Sequence, residues 1–444
     1  MPTNQLQIEY VPLSLLHENP RSARRHTKKK LSELATSIQR LGFNCPLIVG
    51  PENTILAGHA RAAAAKQLGM DEIPVIRVAH LSEVEARAFM LAENKFALNA
   101  TWDLELLASE LEELIDVGFD PVLTGFSTTE IDLVICSAEE AKTAKVTSTT
   151  ANTIPEPPSV PVSQRGDLWL LGGHRLLCGD ARDPEDYRRL LGGELADIMF
   201  TDPPYNVPIP GHVSGLGRKV HDNFAMASGE MSPDQFVEFL VCCLSLAAGL
   251  CRDGSIAFVC MGWRHAGELI AAGKLVFSEL KNLCVWNKSN GGMGAFYRSK
   301  HELIFVFKKG AARHTNNFGL GDTGRYRTNV WDYPGISSIS STRAEELDMH
   351  PTVKPVELVV DALKDCSRRG DRVLDPFGGS GTTLIAAQKC GRLAHLIEYD
   401  ASYCDVIVQR YQRVTGKAAT LAATGETFES VAAERASPAT GEAA

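Results

Sequence analysis

At 444 residues the chain is long enough for two domains with separate cores, and a net charge of −9 does not by itself advertise nucleic acid. No apolar run approaches the ~20 residues of a membrane span, and the N-terminus does not read as the apolar core of a signal peptide. Eleven cysteines without a C-x-x-C argue against a zinc site and for reduced thiols in a cytoplasm; no metal is expected.

The charge is uneven. Arg21, Arg24, Arg25, Lys28, Lys29 and Lys30 fall in one ten-residue stretch without an acid, and residues 286–330 carry Lys288, Arg298, Lys300, Lys308, Lys309, Arg313, Arg325 and Arg327 against Glu302 and Asp322. Local positive fields of this kind bind phosphates even on an acidic protein.

Residues 1–137 read as a small α/β domain. A strand opens at Tyr10-Val11-Pro12-Leu13, and Leu31, Leu34, Ile38 and Leu41 mark one face of a helix over 28–41. Strands follow at Pro46–Val49, Thr54–Leu56 and Ile73–Val78, with an alanine-rich helix after Gly58-His59-Ala60-Arg61 and helices over 82–98 and 103–118. Arg21 and Arg61 are candidate phosphate contacts; the alternative is a solvated basic face. Residues 138–163, ending in Ile154-Pro155-Glu156-Pro157-Pro158-Ser159-Val160-Pro161, lack the apolar content to fold and read as an extended linker.

The second domain, 164–416, begins with a hairpin, Gly166–Leu171 and Gly172–Leu177, leading to Asp180. The apolar run Ala196–Phe200 reads as a buried strand and runs into Thr201-Asp202-Pro203-Pro204-Tyr205-Asn206. Two prolines cannot continue a sheet. They leave a carboxylate, a free carbonyl and an aromatic face at a strand's carboxyl end, where open α/β sheets bind ligands. An acceptor pair grips a planar amine and the aromatic face stacks on its ring; the plainer reading is a strand with a proline turn.

A long loop over 206–232 follows, then a helix over 233–250, the strand Ser255–Cys260, a helix over 264–273 and the strand ending Leu283–Lys288. Residues 308–349 are loop-like and basic. Val373-Leu374-Asp375-Pro376-Phe377-Gly378-Gly379-Ser380-Gly381-Thr382-Thr383 is a strand, a glycine turn and a helix start, fit for close approach to a ligand. A further strand, His395–Ile397, ends in Glu398, an acid placed to accept a ribose diol. The glycine turn does not meet the G-x-G-x-x-G pattern, so a nicotinamide cofactor is not favoured, and no G-x-x-x-x-G-K is present, so a P-loop is excluded. The tail over 417–444 is small and polar and reads as disordered.

Asp202-Pro203-Pro204-Tyr205 upstream of Asp375-Pro376-Phe377-Gly378-Gly379-Ser380-Gly381, with Leu177-Cys178-Gly179-Asp180 and His350-Pro351-Thr352-Val353-Lys354-Pro355, resembles the β-group DNA amino-methyltransferases. The resemblance covers roughly residues 164–415. Asn19-Pro20-Arg21, Gly58-His59-Ala60-Arg61 and Glu93-Asn94-Lys95 resemble the ParB/sulfiredoxin-like domain of partition proteins and phage-type modification enzymes, although Gly58-His59-Ala60-Arg61 is poorer in arginine than the family's run.

The two resemblances imply a Rossmann-like S-adenosylmethionine-dependent methyltransferase sheet behind a smaller α/β ParB-like domain. They imply Asp202, Pro203, Pro204 and Tyr205 as the catalytic group, and Asp180, Lys354, Asp375, Phe377, Gly378, Gly379, Ser380, Gly381, Thr382 and Glu398 as the cofactor group. Arg298, Arg325 and Arg327 are the expected DNA contacts, the last two within a target-recognition region over 308–349. The implied partners are double-stranded DNA and, in the N-terminal domain, a nucleotide; the chain is compatible with an oligomer, and no membrane is involved. Asp rather than Ser at 202 resembles the adenine-N6 branch, as in restriction–modification systems, while cytosine-N4 methylation, RNA or protein amines, and a non-enzymatic nucleotide-gated DNA-binding protein remain open.

Overall fold

The computed structural model describes residues 6–143, 154–207, 229–288, 297–317, 327–334 and 354–436. The chain divides into two compact units, Met1–Ala141 and Lys142–Ala444. No described helix is long and apolar enough to cross a membrane.

The first unit holds a four-stranded sheet in the order β1-β4-β2-β3, with β1 Ile8–Pro12, β2 Leu47–Val49, β3 Ile55–Ala57 and β4 Glu72–Arg77. Its core is Leu47, Val49, Ile55, Ile73 and Val75, the apolar residues of short strands that pack under the alanine-rich helix His59–Gln67. The helix Lys28–Leu41 starts where Thr27 accepts the Lys30 N–H and stops at Gly42, whose φ of 92° favours glycine. A separate helical cluster buries Leu107, Ala108 and Leu111 of the helix Leu104–Asp116 against Ile131 and Ile135 of the helix Thr128–Thr143. That last helix runs into the stretch expected to be linker. Ile131, Val134, Ile135 and Ala138 fall at helical spacing, and the helix Leu104–Asp116 buries them.

The second unit is built on a ten-stranded sheet in the order β11-β9-β10-β8-β7-β12-β13-β6-β5-β14. The strands are β5 Leu168–Leu171, β6 His174–Cys178, β7 Ala196–Thr201, β8 Cys251–Met261, β9 Glu279–Asn287, β10 His301–Lys308, β11 Val330–Asp332, β12 Arg372–Asp375, β13 Leu393–Glu398 and β14 Thr420–Leu421. From β7 the chain moves outward to β8, and from β12 it moves the opposite way to β13; β7 and β12 are parallel neighbours. The strand order therefore reverses between β7 and β12, which opens a crevice at their carboxyl ends. Leucines, isoleucines, alanines and phenylalanines of both sheet faces and the flanking helices fill the two core layers.

Three expectations fail at the edges of this unit. The tail is ordered to Ala436: β14 pairs antiparallel with β5, and Phe428 packs edge-on against Trp169 with ring centroids 5.3 Å apart. Ala419, Leu421, Phe428 and Val431 are buried, so sparse apolar residues in a polar segment suffice once a sheet edge receives them. The end of the linker is likewise anchored, because the Asp405 carboxylate accepts the Val162 and Ser163 N–H groups at 2.6 and 2.9 Å. The basic stretch read as loop contains β11, which pairs with β9.

Candidate active site at the switch between β7 and β12

The two principal motifs are far apart in the chain and adjacent in space. Thr201, the last residue of β7, donates its hydroxyl to Asp375 Oδ1 at 2.9 Å, and Thr383 donates to Oδ2 at 2.6 Å. The Phe377 N–H also reaches Oδ1, at 3.1 Å. Asp375 thus ties β7, the glycine loop and the following helix Thr382–Cys390 into one rigid corner. Burial pushes its carboxyl up to about 7 against the pull of those donors.

Asp202 follows directly. Its Oδ1 accepts the Tyr205 hydroxyl at 2.7 Å and its Oδ2 the Lys354 ammonium at 2.6 Å. The Tyr205 hydroxyl also reaches Glu302 Oε2 at 3.3 Å, and Lys354 Nζ lies 2.9 Å from the same oxygen. Lys288 closes the row on Glu302 Oε1, its ammonium 4.6 Å from the centroid of the Trp286 ring. Two lysines and two carboxylates therefore alternate from β9 to the end of β7. Burial alone would lower Lys354, but Asp202 and Glu302 outweigh it and hold the ammonium above the ordinary lysine value. Burial would raise Glu302, but Lys354 and Lys288 bring it down to about 2. For Asp202 burial wins: helped by the Glu302 charge and opposed by Lys354, it leaves the carboxyl above its usual value.

The Tyr205 ring lies close to the backbone just after β8. A Cβ added to Gly262 would stand 3.3 Å from that ring. Beside it, Asn206 adopts φ 51°, in the left-handed region. Its side chain accepts from the Gly229 and Met231 N–H groups and donates to the Met231 carbonyl, which ties both ends of the long 206–232 segment together.

On the other side of the switch, Glu398 Oε2 accepts the Gly379 N–H at 2.6 Å and Oε1 the Asp400 N–H at 2.8 Å. Burial lifts this carboxyl up to about 7. Gly378 packs under Ile397 and Ile407, Gly381 has φ 79° and caps the helix start, and a Cβ at Gly379 would meet only open space out to 4.0 Å. One edge of the loop is thus fixed by packing and the other is bare backbone facing the crevice. The buried Arg410 donates to the Ser380 carbonyl at 2.8 Å and lies 3.3 Å from the Thr382 hydroxyl. Phe377 packs 6.1 Å from Phe239. Asp180 stands at the end of β6, its carboxylate gripped by Arg182 and held below its ordinary value; burial opposes this and is outweighed. Asp183, not Asp180, caps the next helix.

The structure thus brings together Asp202, Pro203, Pro204 and Tyr205 at one strand end, and Asp180, Asp375, Phe377, the glycine loop through Thr382 and Glu398 around the neighbouring ones. Lys354, expected with the cofactor residues, is bound to Asp202 instead. The Arg327 side chain is 17% exposed, bonds Asp365, Asp361 and the Tyr333 hydroxyl, and lies over Trp331, so it braces β11 against the helix Val356–Cys366. Arg298 is exposed, whereas Arg325 and the 350–353 motif lie outside the described residues. Sequence reasoning missed the roles of Glu302, Lys288 and Asn206. The signal for Glu302 was available: an acid heading the otherwise apolar strand β10.

The first unit has its own cavity of about 520 Å³, lined by Arg24, His26, Lys30, His59, Arg61 and Asn94 among others. Leu31, Leu34, Ile38 and Leu41, the apolar face of the helix Lys28–Leu41, line it too. Arg21 pairs with Glu83 at 3.3 Å, and Arg24 donates to Asn94 at 2.9 Å.

Residues 196–409 match the DNA methylase family, 105–165 the ParB-methyltransferase HTH domain and 2–95 the ParB N-terminal domain. The chain is 26% identical over 245 residues to a DNA adenine methyltransferase, YhdJ, of Escherichia coli K12, covering 49% of this chain and 76% of that protein. It is 36% identical over 89 residues to the type II methyltransferase M.ScaI of Streptomyces caespitosus, 20% of this chain and 29% of that one. The crystal structure of the M1.HpyAVI–SAM complex is 20% identical, covers 53% of this chain and 97% of its own, and superposes with a TM-score of 0.39.

Proposed function

We infer that this chain, which belongs to the DNA methylase family through residues 196–409, methylates the N6 amine of adenine in duplex DNA with S-adenosylmethionine as donor. The observation that carries the reading is the Asp202 carboxylate beside Pro203 at the end of β7, next to the glycine loop across the switch point. Bound there, S-adenosylmethionine supplies a methyl on a sulfonium, a good leaving group. The residues around the loop fit it. Glu398 offers a ribose diol the remaining acceptor sites of an anchored carboxylate, the bare edge of Gly379 allows close approach, and Asp180 offers an acceptor for an adenine amine.

The rest of the task is positioning. The target amine is hidden in the duplex stack, so the base must be extruded into the crevice. Asp202 and the Pro203 carbonyl accept the two amine hydrogens, orient the nitrogen lone pair and stabilise the positive charge that develops. Tyr205 stacks on the extruded ring, worth ~1–3 kcal/mol by analogy with single-strand platforms. Asp rather than Ser at 202 favours adenine over cytosine. The test is transfer from labelled S-adenosylmethionine to unmethylated duplex DNA followed by nucleoside analysis. N6-methyladenine is expected; N4-methylcytosine would replace the base and keep the mechanism, and transfer only to RNA or protein would overturn the substrate.

The cavity of the first unit supports a second binding function, for a ribonucleoside triphosphate. Its volume suits such a ligand, and Arg24, Lys30 and Arg61 gather around the start of the helix His59–Gln67. Calorimetric titration of the full chain with ribonucleoside triphosphates tests this, and the absence of heat with all four would overturn it.

A further inference from the structure

We propose that Glu302 is a positioning residue for the catalytic carboxylate: it shares the Lys354 ammonium with Asp202 and lies within reach of the Tyr205 hydroxyl, so that Asp202 keeps an acceptor site for the substrate amine. The inference rests on the methyltransferase reading and deepens it.

Both oxygens of Asp202 already accept a donor within the protein, Tyr205 on one and Lys354 on the other. A carboxylate has about four acceptor sites, so the amine can still bind, provided neither donor swings to cover both oxygens. Lys354 is the threat. Its side chain is 3% exposed, so its ammonium must satisfy its three N–H groups within the protein. Glu302 Oε2 takes one of them at 2.9 Å and also meets the Tyr205 hydroxyl at 3.3 Å. The two donors that touch Asp202 are thus the two that touch Glu302, and Glu302 sits opposite Asp202 across them. Lys288 on the far oxygen keeps Glu302 anionic in a site where it is 12% exposed. Without the Glu302 charge, the buried ammonium loses its 2.9 Å carboxylate contact, and closing down further on Asp202 would displace the amine.

The test compares Glu302→Gln and Glu302→Asp with the wild type. Single-turnover transfer from labelled S-adenosylmethionine to unmethylated plasmid duplex is read alongside the dissociation constants for S-adenosylhomocysteine and for the same DNA. Gln matches the volume of Glu but not its charge, whereas Asp keeps the charge on a shorter stem. A positioning charge predicts a rate at least tenfold below wild type for E302Q, a faster rate for E302D, and both dissociation constants within twofold of wild type. A mere space-filling role predicts the reverse order. E302Q as fast as the wild type or as E302D, or a loss that resides in either dissociation constant, overturns the proposal. No transfer to DNA by the wild type overturns the methyltransferase reading itself and this inference with it.

Discussion

Two carboxylates at the switch sit in opposite surroundings. Asp202 faces donors on its side chain and an open crevice beyond; Glu398 is pinned by two backbone N–H groups. Asp202→Ala is therefore expected to cut methyl transfer at least ~100-fold, the usual scale for removing a preorganised transition-state contact, while S-adenosylhomocysteine binds within twofold of wild type. A single-turnover assay beside a binding titration separates the two. Glu398 predicts a pH effect of definite sign. With its carboxyl lifted to about 7 by burial, the free protein holds the proton below that pH, and a ribose diol is best accepted by the anion. Cofactor affinity should rise from pH 6 to 8 and level off above, and Glu398→Gln should both weaken binding and flatten that rise. A wild-type affinity independent of pH would remove Glu398 from the ribose site.

At the scale of elements, the Thr201–Asp375 bond is the clamp that keeps the β7 and β12 ends in register. Thr201→Val removes one buried donor and is expected to cost about 1 kcal/mol in urea unfolding, with a larger proportional loss of activity because the loop after β12 shifts. The C-terminal segment behaves as a sheet-edge cover. Phe428 is 6% exposed and packed on Trp169, and Arg435 pairs with Asp167 and donates to the Val162 carbonyl. Phe428→Ala should destabilise the second unit by about 3 kcal/mol, read as a shift of its urea midpoint. An unchanged midpoint would mean that the segment adds nothing to the sheet.

Across the whole molecule, the two units own separate cores, so heating should give two transitions. S-adenosylhomocysteine should raise the transition of the second unit and a ribonucleoside triphosphate that of the first, each leaving the other in place in differential scanning calorimetry. Legibility followed the range of the interactions. Asp202-Pro203-Pro204-Tyr205, the glycine loop and Glu398 are read from the chain because proline, glycine and a strand-terminal acid constrain the backbone locally. The bracing role of Arg327 was not legible, since Asp361 and Asp365 arrive from another helix. The helix Lys28–Leu41 was placed correctly, and only the structure shows that its apolar face lines a cavity. By itself, the sequence determined most of the strands and helices and the motif residues, which rest on short-range periodicity and turn chemistry, while the helix Thr128–Thr143, β11 and β14 were not read from it. The tertiary structure alone decided that Lys354 serves Asp202, that Glu302 and Lys288 complete the charged row, and that the tail closes the sheet edge. Those contacts join residues far apart in the chain, and only the packed sheet brings them within reach.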